Sequence, residues 1–272
     1  MKLVGFVSAF FVVAFIFGVI SASSVLANAP FVPTFEVVPA PTGGGIRLEV
    51  PRKFHERFER WKSELLSTEF GRNQWESWAT NKNFVLTIQV DAGKKKGAGT
   101  GRFQWDDNGN LVGATITLGS EIDEGYPDPI YYPVLNSLST ADTEFAISGR
   151  LLAATKLSHE LGHVSQTAAA NASTLERQSK LIPQYTSIFL RNGHNPYDQK
   201  LVQLAEEIGG TPMEIWESRE YWSEVTAMDF LGERIKNEPF FCHVFSRIRN
   251  NVQMYAREYV SRFEPAAAVP CK

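Results

Sequence analysis

Two cysteines in 272 residues are too few for a disulfide-built scaffold. Cys242 and Cys271 also lie far along the chain from most of the histidines, which excludes a cysteine-based metal site. Charge of one sign is equally scarce, with a formal net charge of −3 and a pI near 6.0. Such a balance lacks the basic surplus that attracts nucleic acid, so no nucleic-acid partner is expected. Internal repeats and heptad seams are missing, which excludes solenoids and coiled coils. What is present is core material: 43% of the residues are hydrophobic and 12% aromatic, enough for one large globular domain or two small ones.

The N-terminus differs from the rest. Lys2 precedes an apolar run over residues 3–20, and small residues follow around Ala22 and Ala27. Residues 1–27 read as an export signal cleaved after Ala27, with an uncleaved anchor helix as the alternative. The expected location is therefore secreted, periplasmic or cell envelope, with membrane contact only if the anchor is retained. In an oxidising compartment Cys242 and Cys271 can pair. Asn171, Ala172 and Ser173 form a glycosylation triplet of a kind that is common by chance. Residues 28–52, rich in proline and glycine, read as a tether.

From Lys53 onward, Phe54, Phe58, Trp61 and Leu65 recur at three and four residues and predict a helix ending before Gly71. Alternating, β-branched segments at 84–90, 103–105 and 111–118 predict a small sheet over about 83–119, with Asp106, Asp107, Asn108 and Gly109 as a turn. Gly93, Lys94, Lys95, Lys96 and Gly97 lack P-loop order and read as a solvated hairpin tip. Residues 121–133 carry Asp123, Glu124 and Asp128 without calcium-loop spacing and read as a surface loop. Helical patterns then run through 143–166, 172–191, 199–208, 212–237 and 240–263, a helical half over about 139–272. Strands first and helices afterwards define an α+β fold, predominantly helical, over residues 53–272.

Within the first of these later helices, His159 and His163 stand four residues apart and project from one face, where both imidazoles reach a single ion. Ile147, Leu151, Ala154, Leu157, Leu161 and Val164 form an apolar stripe on that helix, and Ser139 with Asp142 makes a capping pair at its start. Glu160 lies between the histidines, where its carboxylate can act as general base toward a metal-activated water without taking a ligand position.

The run His159, Glu160, Leu161, Gly162, His163 resembles the HExxH motif of the zincin metallopeptidases, of gluzincin type. The resemblance implies a zincin-like domain, a zinc ion, and hydrolysis of peptide or protein substrates with Glu160 as general base. A catalytic zinc needs a third protein ligand. The metzincin continuation fails because position 169 is Ala169, which leaves the glutamates of a later helix. Glu224 is preferred, since Glu224, Ala227 and Phe230 resemble the Glu-x-x-Ala-x-x-Phe helix of certain bacterial HExxH peptidases. Glu220 is the rival, because Glu220, Ser223 and Glu224 resemble the Glu-x-x-Ser-Asp pattern of thermolysin-like enzymes. Tyr221, His194 and His243 are candidate oxyanion donors, and Asp229 is a candidate for orienting a ligand imidazole. The alternative function is an exported, non-catalytic binding or structural protein on the same zinc scaffold.

Overall fold

The structure, a computed structural model, describes residues 35–124 and 149–237. The N-terminal signal or anchor, the Ser139–Asp142 capping pair, Ile147, Asp128, the 240–263 helix, His243 and both cysteines lie outside the described residues.

Alternation of β-branched residues produces two of the three inner strands where it is strongest. These are β3 (Val85–Asp91) and β5 (Leu111–Gly119), and they pair in parallel. Leu86, Ile88, Ile116 and Leu118 face the helices and are buried, while Thr87, Gln89, Thr115 and Thr117 take the opposite face. Three further strands, β1 (Glu36–Val37), β2 (Gly45–Glu49) and β4 (Ala98–Trp105), complete a mixed sheet in the order β1-β4-β5-β3-β2. The β4–β5 hairpin turns where expected. The Asp106 carboxylate accepts from the backbone N–H of Asn108 (2.9 Å) and Asn110 (2.8 Å), and Gly109 supplies a φ of +77°.

Two expectations are corrected here. The described part of the proline-rich segment is not a free tether, since it contributes both edge strands, the places a sheet allows to proline-flanked chain. The Gly93–Lys96 region is not a hairpin tip either. Strand β4 pairs with β5 rather than β3, so residues 92–97 cross over the end of β5, where Lys95 and Gly97 carbonyls accept from Glu121 and Gly119.

Strand β4 also starts earlier than its side chains suggest, because Gly99 and Gly101 mute the alternation in its first half. A bulge between Gly101 and Gln104 adds one residue, with Arg102 at φ +49°. Without it, Thr100 and Phe103 would face opposite sides. With it, Thr100, Phe103 and Trp105 all turn toward the helices and are buried.

The first predicted helix ends at Leu65, short of Gly71, and a second helix that the apolar spacing did not predict follows it. Helix α1 (His55–Leu65) buries Phe58, Trp61 and Leu65, and Thr68 then caps a separate α2 (Glu69–Ala79) that buries Trp75 and Trp78. A Cβ on Gly71 would stand 2.0 Å from the Leu65 carbonyl oxygen, so only glycine permits this tight junction. Asp123 is not part of a solvated loop. It accepts from Arg57 Nε (2.8 Å) and Trp61 Nε1 (3.0 Å).

The helical half follows the predicted pattern: α3 (Gly149–Ala169), α4 (Ala172–Arg191), α5 (Gln199–Ile208) and α6 (Pro212–Ile235). Asn171 caps α4, which gives the glycosylation triplet a structural role. Thr211 and Glu214 form a capping box on α6 with Pro212 in the first turn. Helices α4 and α5 pack Ile182, Tyr185, Leu201 and Leu204 into a small core of their own. Among the described residues, no helix is long and apolar enough to cross a membrane.

Candidate metal centre

Helix α3 is buried on almost every side over residues 152–162, so it runs through the domain rather than along its surface. Its neighbour on one side is α6, and Gly162 sets their separation. A Cβ there would meet Thr226 Cβ at 3.0 Å and Ser223 Cα at 3.1 Å. On the side of α2, the Ser158 hydroxyl donates to Gln74 Oε1 (2.7 Å), and Gln74 Nε2 donates back to the Ser158 carbonyl (3.2 Å). The helix is thus held one residue before His159.

Close helix packing brings Glu220 of α6 between the two imidazoles. Its carboxylate oxygens lie 3.3 Å from His159 Nε2 and 3.5 Å from His163 Nε2, and one ligand atom from each of the three residues falls within 4.8 Å of the others. Donors about 2.1 Å from a tetrahedral first-row ion stand roughly 3.4 Å apart. The Glu220 contacts match that spacing. This buried group of His159, His163 and Glu220 can hold a metal ion.

Glu224, the preferred third ligand on sequence grounds, stands on the other side of His159. Its Oε1 is 3.7 Å from Nδ1, facing away from the shared ligand atoms. The rival Glu220 is the residue that converges. Glu224 instead occupies the position expected of Asp229, behind the His159 imidazole. Among the described residues Asp229 makes no hydrogen bond to either histidine, and burial pushes its carboxyl up to about 6.

Electrostatics follow from this crowding. Burial pushes the Glu224 carboxyl up to about 7. It also opposes charge on His159, yet the bond to Glu220 and the Glu224 charge outweigh it and raise that imidazole to about 9. Burial likewise acts against the Glu220 carboxylate, but the two histidines hold it well below its ordinary range.

Glu160 lies between the histidines in sequence and turns its carboxylate toward β4. There Thr100 Oγ1 stands 2.7 Å from Glu160 Oε2. Arg219, also buried, donates to Thr167 Oγ1 (2.7 Å), and Thr167 donates to the His163 carbonyl (2.8 Å), linking α6 to the far end of the motif. Neither Thr100 nor Arg219 was singled out from the sequence. Each acts across elements, and no local spacing announces such a contact.

Tyr221 is buried on α6 outside the three-residue group. His194 sits in the α4–α5 connection, its ring edge-on to Phe189 at 5.1 Å, and takes no part in the group. No protein-family model, curated protein or solved structure matches the chain.

Proposed function

We propose that the protein is an exported zinc-dependent metallopeptidase of the gluzincin type. The observation that carries the reading is the convergence of His159, His163 and Glu220, with Glu160 between the two histidines in sequence. Export is the reading of the apolar N-terminal segment.

Zinc held by these three residues would supply Lewis acidity and lower the pKa of a coordinated water toward about 7. Glu160 takes the proton of the attacking water on its carboxylate and returns it to the leaving amine. Glu224 places a carboxylate 3.7 Å from His159 Nδ1, on the side of that imidazole away from the shared ligand atoms. The substrate would lie along β4. Strand β1 pairs only with Gln104 and Trp105, so residues 98–101 have no strand on that side among the described residues. An open edge of this kind accepts an extended peptide through main-chain hydrogen bonds.

Purified protein is expected to carry about one zinc per chain, and Glu160→Gln to keep the metal while losing peptide hydrolysis. A metal-free wild type, or undiminished cleavage by the variant, sinks the reading.

Burial favours a second reading. His159 is 1% exposed and Glu220 7%, and closed metal sites are characteristic of structural zinc. In that case the protein is an exported, non-catalytic scaffold. Retained zinc, no cleavage of any peptide library, and unfolding on chelation would identify it.

A further inference from the structure

We infer that Thr100 is a positioning residue, whose hydroxyl on β4 holds the Glu160 carboxylate in the orientation that proton transfer requires. The inference rests on the metallopeptidase reading. Thr100 Oγ1 lies 2.7 Å from Glu160 Oε2 and 3.1 Å from the Glu160 carbonyl oxygen. An ionised carboxylate only accepts, so threonine is the donor, and the shorter contact has the length of a charge-assisted bond. Both residues are buried, at 8% and 4% exposure, so little water competes for the hydroxyl.

The two partners differ in stiffness. The last torsion of a glutamate is broad, whereas χ1 of a β-branched strand residue is restricted. A flexible carboxylate is therefore tied to a rigid strand. The bond engages Oε2 and leaves Oε1 to receive a proton.

The approach of β4 to the motif helix has a second point of attachment. Lys156, one helical turn before Glu160, donates from Nζ to the Lys96 carbonyl at 3.1 Å, just ahead of β4. Lys156 and Glu160 share a helix face, so this stretch of chain is attached to one side of α3 at two points. The bulge at Arg102 then lets Thr100 face α3 while Phe103 still faces the core. Because the open edge proposed to carry peptide belongs to the same strand, one element would set both the substrate and the base.

Two measurements test this, one independent of turnover. In zinc-free protein, Thr100→Val should lower the urea midpoint of unfolding more in the Glu160 background than in Glu160→Ala. Equal lowering in both backgrounds overturns the inference. In zinc-loaded protein, Thr100→Val should bind one zinc as wild type does, keep KM, and lose about 10–100-fold in kcat. Thr100→Ser, which keeps the donor, should recover most of that loss. A Val variant with wild-type kcat, or a Ser variant as impaired as Val, also overturns it. If zinc-loaded wild type cleaves no peptide, the metallopeptidase reading fails, and the unfolding comparison alone decides whether Thr100 holds Glu160.

Discussion

Glu220 and Glu224, one turn apart on α6, meet opposite edges of the same imidazole. Glu220 lies 3.3 Å from His159 Nε2, and Glu224 lies 3.7 Å from Nδ1. The first contact lies within the group that can hold a metal ion, and the second lies behind it. The two carboxylates therefore have unequal duties. Glu224→Gln is expected to weaken zinc binding by about 10–100-fold, the usual cost of losing an orienting partner. Glu220→Gln should weaken it by a larger factor, since it removes a ligand. Competition against a chromophoric chelator measures both, and the reverse ranking would restore Glu224 as the ligand.

Gly162 faces α6 across a gap with no room for a methyl group. At 3.0–3.1 Å from Thr226 Cβ and Ser223 Cα, an added Cβ requires the facing part of α6 to give by a few tenths of an ångström. Overpacking of this kind typically costs about 1–3 kcal/mol. Gly162→Ala should therefore lower stability by that amount in denaturant unfolding and weaken zinc binding as well, because Glu220 rides on the displaced helix. Wild-type zinc affinity in this variant would show that the helix spacing does not govern the site.

Glu233 caps a helix from a distance. Its carboxylate accepts from the backbone N–H of Glu69 (2.9 Å) and Phe70 (2.8 Å) at the start of α2. Burial opposes its ionisation, but those two bonds prevail and hold its pKa below the ordinary value. A lowered carboxylate pKa adds stability that is complete above the unfolded value of about 4.3 and is lost as pH falls toward the folded one. Glu233→Ala should cost about 0.5–2 kcal/mol at pH 7, the range for a lost helix cap, and progressively less below pH 4. Chemical denaturation at the two pH values checks this, and a cost independent of pH would rule out the charged cap.

Much of the fold is legible because its signals are local. Asn171, Asp198 and Thr211 each stand before a helical period, and each caps the helix that follows. His159 and His163 share a face because of helix geometry alone, which needs no knowledge of neighbours. The sheet was less legible. Glycine at positions 99 and 101 carries no hydrophobic pattern, and the bulge at Arg102 breaks the two-residue period by which a strand is recognised. The edge strands in the proline-rich segment escaped for a similar reason, since edge positions tolerate residues that elsewhere argue against a strand.

The sequence by itself determined α1 and the helices α3 to α6, the α+β order, and the pair of histidines with a glutamate between them, all set within a few residues of chain. Only the tertiary structure decided which glutamate completes the group. Glu220 and Glu224 share one stripe of α6, so spacing cannot separate them, and their duties depend on how deeply α6 docks against Gly162 of α3. The Thr100 contact to Glu160 was likewise a matter of tertiary structure, because it joins residues sixty positions apart through a bulged strand.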